Sequence, residues 1–198
     1  MSSRNKKWDE LERLRNEAQD LYESDSAQHK WTRIRTKLEK IIELDPTDKI
    51  ALFHLGNFWY KIGLSEKALT FFEKIIRLDE NHMNAWFYKG LILIDMEKEK
   101  EAVKCFDKVM MMHEPPIEVW LNKGIALHNM GKFEDAMKCY DQYINFDEKN
   151  QNNPNVLINK SKTLLELGRN NEAIILYDKA ISLDKSLKKE MERPKSKM

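Results

Sequence analysis

Five histidines, two cysteines and a large set of carboxylates are the side chains of this 198-residue sequence from which acid–base, thiol or metal chemistry could be built. His29, His54, His82, His113 and His128 are scattered along the chain. None has a second ligand at the i, i+4 spacing that would set two imidazoles on one helix face around a metal. His113-Glu114 runs straight into Pro115-Pro116, which ends a helix and so cannot be a zinc helix. Glu97, Glu99 and Glu101 alternate with lysines and read as a solvated turn. Cys105 and Cys139 each follow an alanine, Ala102 and Ala136, by three residues. That register places them on neighbouring, roughly parallel helices about 9–10 Å apart, too far for a disulfide, and they are expected to be buried as small apolar residues. Asn159-Lys160-Ser161 has the form of a glycosylation acceptor but falls within a helix pattern and is read as chance. There is no phosphate-binding loop and no nucleophile elbow. The expectation is a protein without catalytic residues, cofactor or metal.

Composition narrows the partners. The 34 Lys+Arg and 33 Asp+Glu nearly cancel. Such a chain has no general field for nucleic acid or an anionic membrane. Met1–Asp9 has no apolar segment of the secretory kind, and no run approaches the length of a membrane span. A cytoplasmic location is expected, with neither nucleic acid nor membrane as partner.

The elements that would have to position any site are organised by a repeat. The stretch 83–116 carries Trp86, Lys89-Gly90, Leu93, Ala102, Phe106 and Val109. One period of 34 residues earlier stand Leu52, Leu55-Gly56, Trp59, Ala68, Phe72 and Ile75, and one period later Trp120, Lys123-Gly124, Leu127, Ala136, Tyr140 and Tyr143. A further 37 residues on are Leu157, Lys160-Ser161, Leu164, Ala173, Tyr177 and Ala180. In each copy the i, i+4, i+7 spacing places the large–small–large trio on one face of a first helix, A, and the alanine and aromatic residue on a second, B. A small residue on each helix permits close approach, which offsets the roughly 1 kcal/mol that glycine costs inside a helix. Gly63, Gly131 and Gly168 fit left-handed positions just past helix A, with Met96-Glu97 replacing glycine once. An earlier copy is degenerate: Leu14, Ala18 and Leu21 take the places of Trp86, Gly90 and Leu93, with about four extra residues at a Ser24–Gln28 turn. Trp8 and Tyr22 extend the apolar pattern of its first helix, and Trp31, Ile34, Leu38, Ile41 and Ile42 line its second.

This pattern resembles the tetratricopeptide-repeat family over about residues 11–187. The resemblance implies an all-α fold, a right-handed superhelical solenoid of antiparallel helix pairs with A helices lining a concave groove. The expected organisation is a flexible N-terminus at 1–5, one solenoid over 6–192 and a basic tail at 193–198. The repeats are expected at about 11–48, 49–82, 83–116, 117–153 and 154–187. The Asn-rich loop 147–154 holds the surplus of the fourth repeat and is expected to be a mobile point or a break in pitch. The last helix is expected to continue toward Glu192 as a cap, because Ala180, Leu183, Leu187 and Met191 keep helical steps and no proline intervenes before Pro194. The proline that usually closes a repeat is present only at Pro46, with Glu80, Glu114, Glu148 and Lys185 elsewhere.

The same resemblance implies protein or peptide binding in the groove. The A-helix residues turned away from the B partners are Phe53, Asn57 and Tyr60, then Phe87, Leu91 and Ile94, then Leu121, Ile125 and His128, then Ile158, Lys162 and Leu165. Beside them stand His54, Tyr88, Asn122 and Asn159. The middle of that face is apolar where a solvated stripe would be polar, the mark of an interaction surface. A carboxylate clamp of the chaperone-binding relatives does not fit. Asn57 matches one clamp place, but Phe53, Tyr88, Glu118 and Asn122 stand where Lys, Asn, Lys and Arg are needed. The expected function is a non-enzymatic scaffold or adaptor that binds a hydrophobic-anchored peptide or helix. The expected state is a monomer; the alternative is self-association, including homodimerisation, through repeat surfaces or solenoid ends.

Overall fold

A computed structural model of the chain describes residues 3–23 and 30–189. Its ten α-helices are α1 Ser3–Glu23, α2 Lys30–Leu44, α3 Lys49–Lys61, α4 Ser65–Leu78, α5 Met83–Asp95, α6 Glu99–Met110, α7 Glu118–Asn129, α8 Phe133–Phe146, α9 Pro154–Glu166 and α10 Asn170–Leu183. Helix α1 starts three residues ahead of the expected Lys6. The turn expected at Ser24–Gln28, the side chains of Leu21 and Tyr22, His29 and the tail 193–198 lie outside the described residues. The chain divides into two compact units, residues 1–96 and 97–198, each described by itself. In each, every helix packs on its neighbour in sequence.

In the first unit the seam between α3 and α4 is set by Gly56 and Phe72. A Cβ at Gly56 would lie 2.9 Å from Phe72 Cζ. The aromatic ring itself lies against the glycine, where a facing alanine methyl was expected; Ala68 is fully buried beside it. The second unit repeats the device between α7 and α8, where a Cβ at Gly124 would come within 2.5 Å of Tyr140 Cε1. Between α9 and α10 the small residue is Ser161. Its Oγ donates to the Ala173 carbonyl at 2.7 Å, so a buried hydroxyl is satisfied across the seam.

Three helix ends close with the expected glycines. Gly63, Gly131 and Gly168 have φ of 79°, 72° and 73°. Each donates to a carbonyl of the last turn, and the next residue donates further back: Leu64 to Trp59, Lys132 to Leu127, Arg169 to Leu164. That paired pattern is the Schellman closure. Glu97 takes the same backbone conformation with φ 57° and carries a side chain into it. An aspartate closes four of the B helices, with Pro46 beside it in the first and no proline in the other three. Asp45, Asp79, Asp147 and Asp184 each accept from the backbone N–H two residues on, at 2.9–3.1 Å. The first repeat keeps Leu11, Leu14, Ala18, Ile34, Leu38 and Ile41 buried but exposes Trp8 and Trp31. The ion pair of Glu17 with Lys37 sets α1 antiparallel to α2. At 21 residues against 15, α1 therefore overruns its partner and leaves Trp8 uncovered.

A ladder of ion pairs joins each of three B helices to the next A helix. Lys89 Nζ donates to Glu73 at 2.7 Å and Lys123 Nζ to Asp107 at 2.5 Å, both across 16 residues. Lys160 pairs with Asp141 across 19, so the three-residue surplus leaves the rung intact. The surplus itself is a 3-10 turn, Glu148–Asn152. Asn150 donates to the Tyr143 carbonyl at 3.0 Å and Asn153 to the Tyr143 hydroxyl at 2.8 Å, which ties the expected mobile point to α8.

The C-terminal expectation is corrected. Helix α10 stops at Leu183; Asp184 is extended, and Lys185–Lys189 form a 3-10 turn. Asp184 Oδ1 accepts from the Ser186 N–H, the same closure used earlier, and this breaks the helical step pattern. The turn brings Leu187 back onto Leu157, Ile158, Tyr177, Ala180 and Ile181. The last helix is thus covered by a fold-back, and any continuation to Glu192 lies outside the described residues.

Gly124→Ala is expected to cost about 1–3 kcal/mol, because the buried Tyr140 ring has no room to retreat. Glu97→Gly is expected to gain about 0.5–1 kcal/mol by relieving the left-handed backbone. Urea midpoints measured by circular dichroism check both signs; an unchanged midpoint in either variant contradicts its assignment.

Candidate functional site

In the first unit the expected binding residues sit on α3 and α5, and all are half-buried: Phe53, His54, Asn57 and Tyr60, then Phe87, Tyr88, Leu91 and Ile94. Part of this set is committed to packing. Tyr88 stacks on Phe72 with centroids 5.3 Å apart. Phe53 meets Phe72 and Tyr88 edge-on at 5.7 and 5.4 Å and lies 6.0 Å from His82. Tyr60 and Phe87 each meet Tyr88 edge-on, at 6.2 and 6.0 Å. Such pairs contribute about 0.5–1.5 kcal/mol each beyond the area they bury. The cluster therefore holds α3 against α5 while its rims remain partly open. The Tyr60 phenol is pushed up to about 12 by burial, with the Asp95 carboxylate beside it adding to the rise. Asn57 Oδ1 is buried with no hydrogen-bond partner among the described residues. An acceptor left in that state costs about 1–3 kcal/mol.

In the second unit the expected residues lie on α7 and α9. Leu121, Asn122, Ile125, His128, Asn159, Lys162 and Leu165 are half-buried. Leu121 and Ile125 pack on a core that includes Leu127, Tyr140 and Val156. Asn122 Nδ2 donates to the Glu118 carbonyl of its own helix at 2.9 Å, so one of its amide protons is already used. His128 Nδ1 is 2.9 Å from Thr163 Oγ1, and that hydroxyl donates to the Asn159 carbonyl at 2.9 Å. Ile158 is a correction: it is 1% exposed, because Leu187 and the helices it joins close over it, and it presents no surface to a ligand.

Burial is the leading cause that lowers the pKa of both His54 and His128 from the ordinary 6.5. Asp48 opposes the shift at His54 and Glu166 opposes it at His128, where Lys162 adds to it. Cys105 and Cys139 are buried, as expected. Burial pushes the Cys139 thiol up to about 11, which leaves little thiolate at neutral pH. Among the described residues no three His, Cys, Asp or Glu side chains are grouped to hold a metal, and no helix is long and apolar enough to cross a membrane.

Sequence reasoning missed two features near these faces. One is the hydrogen bonding of the loop asparagines to Tyr143. The other is an ion pair at the first repeat, where Arg15 Nε and Nη2 donate to Asp48 Oδ2 at 2.9 and 2.6 Å. Asp48 is buried and its other oxygen caps α3 at the Ala51 N–H, 2.9 Å away. The signal was present: Asp48 precedes an apolar helix start, an N-cap position.

With the helix pairs and seams in place, the class follows. Family models described as tetratricopeptide repeat match residues 51–82, 84–112, 117–150 and 154–187, more than half of the chain. The chain belongs to the tetratricopeptide-repeat family. Repeats of this family are scaffolds for protein–protein interaction and are typically non-enzymatic. The solved structure of MamA 41-end from Desulfovibrio magneticus RS-1 is similar at a TM-score of 0.78 and 17% identity, over 90% of this chain and 97% of that one. Another, described as MamA MSR-1 C2, gives 0.71 and 20% identity over 89% and 97%. YrrB, described as a TPR protein with an unusual peptide-binding site, gives 0.67 and 21% identity over 79% of each chain. These likenesses show the fold. A comparison with curated proteins finds no match.

A lowered histidine pKa stabilises the fold above the ordinary 6.5 and withdraws that stability as pH falls through the folded-state value. The urea midpoint is therefore expected to drop between about pH 7 and pH 5. The drop should be shallower in a His54→Gln/His128→Gln double variant; parallel profiles would contradict the assignment.

Proposed function

We propose that the chain is a monomeric adaptor whose A-helix faces hold a peptide or helix of another protein by hydrophobic anchors. One observation carries the reading. Leu91 and Ile94 on α5 of the first unit, and Leu121 and Ile125 on α7 of the second, are apolar yet only half-buried. Apolar side chains left at that depth on adjacent turns are what a helix-in-groove or extended-peptide ligand uses. Phe53, His54, Asn57, Tyr60, Phe87 and Tyr88 would flank the ligand on the first unit. The second unit, taken by itself, would offer Asn122, His128, Asn159 and Lys162 to a ligand on its own A-helix face. The orphaned Asn57 acceptor supports a ligand that supplies an N–H, after a small turn of the amide. YrrB's printed description as peptide-binding supports the ligand class by likeness of fold.

A second reading, self-association, is favoured by exposed apolar residues on the first and last helices. Trp8 is 55% exposed on α1, and Ile175 and Leu183 are 66% and 48% exposed on α10. Mass that rises with concentration in light scattering would support it.

Leu91→Asp and Ile125→Asp are each expected to abolish capture of specific partners from native lysate while the helical circular dichroism spectrum is retained. Capture that survives both substitutions would refute binding through these faces.

A further inference from the structure

A cavity of about 210 Å³ lies between the first and second A helices, α1 and α3, within the first unit. Its floor is apolar and buried: Ala18, Leu38, Ile41 and Ala51. Arg15 and half-buried His54 stand at its rim. A buried apolar cavity of about 150 Å³ suffices for benzene. This one is not enclosed: it is a cleft open at the A-helix side, where Asn16 and Gln19 are exposed, and has room for a ring.

The next junction of the same unit shows what such a space accommodates. Ala18 aligns with Gly56, so Arg15 takes the place of Phe53. Leu38, Asp48 and His54 precede Phe72, His82 and Tyr88 by one period of 34. At the second junction those four positions form the aromatic cluster already described, with Tyr88 stacked on Phe72 and Phe53 edge-on to both. At the first junction the Phe53–His82 contact becomes the Arg15–Asp48 ion pair. The stacked Tyr88–Phe72 pair becomes His54 and Leu38, and both replacements are smaller. The void occupies the place where the neighbouring junction keeps its rings.

We infer that the cavity between α1 and α3 is a recognition pocket for one aromatic side chain of a partner peptide. A phenyl ring there restores the packing that the repeat has one junction later. Leu38 and Ile41 supply the apolar floor. Arg15, held by Asp48, presents its guanidinium to the ring in the way cations meet aromatic faces. The Asn16 and Gln19 amides at the mouth are of the type that hydrogen-bonds a peptide backbone. The pocket deepens the adaptor reading by naming the anchor chemistry, and it rests on that reading only for the rest of the ligand.

The test uses small amides that touch nothing beyond the pocket, so it can fail while the wider groove reading survives. N-acetyl-phenylalaninamide is titrated into the full chain and amide NMR shifts are followed. The expected result is saturable shifts at Ala18, Ala51 and His54, absent with N-acetyl-alaninamide. Leu38→Phe/His54→Tyr, which imports the rings of the second junction, should abolish those shifts and raise the melting temperature. Should that pair fail to fold, His54→Tyr alone narrows the mouth and should weaken the shifts. Shifts that are absent in the wild type, equal with the alanine amide, or undiminished in a folded filled variant would overturn the pocket.

Discussion

Close approach of two helices over a residue without a side chain is the constraint on which this molecule is built. At Gly56 and Gly124 an aromatic ring from helix B rests against the backbone of helix A, and a Cβ would meet it at 2.9 and 2.5 Å. The cost of glycine within a helix, about 1 kcal/mol, is set against the burial of a whole ring, which contributes more. Ser161 shows the limit of the device. A hydroxymethyl is tolerated there because it finds the Ala173 carbonyl. Everything else is arranged around these seams. Closing turns deliver helix B at the right angle, and ion pairs fix how one pair follows the next. Pairs such as Lys89–Glu73, with both side chains partly exposed, are worth only about 0–1 kcal/mol, so their contribution is register more than stability.

The seams also decide what the A-helix faces can offer. Phe53 and Tyr88 belong at once to the packing between α3 and α5 and to the face beside them. A residue with both duties is partly covered, positioned and stiff. Leu91 takes no part in that aromatic cluster, while Ile125 on the second unit packs on its core with one side left half-buried. Where the packing weakens, at the junction of α1 with α3, the face opens into a cavity. Structural economy in one junction and an opening in the next come from the same four positions.

Much of this was legible in the sequence because repetition amplifies weak signals. The helix pairs, the small–aromatic seam, the left-handed glycines and the buried cysteines each follow from residues recurring at fixed intervals. The departures have particular causes. The α10 terminus was misjudged because Leu187 and Met191 keep helical spacing, and that spacing outweighed Asp184, which recurs at the place of Asp45, Asp79 and Asp147 and ends the helix as they do. Ile158 was assigned to the groove face by its register with Phe87 and Leu121, which are half-buried; at the last described repeat Leu187 folds back beside it and it is 1% exposed. Trp8 and Trp31 belong to the apolar pattern of α1 and α2 but are 55% and 43% exposed, which spacing alone does not reveal.

The lysine–carboxylate rungs bear on how such a chain can change in length. Each rung is shared between one repeat and the next, and its members recur with the period: Glu73, Asp107 and Asp141 on one side, Lys89, Lys123 and Lys160 on the other. Excision of one period would set Glu73 opposite Lys123, and duplication would add a rung already matched. Repeat number is therefore a quantity that recombination could alter without stranding a partly buried ammonium. The first junction, held instead by Arg15 and Asp48, lies outside that exchange and would act as its fixed end.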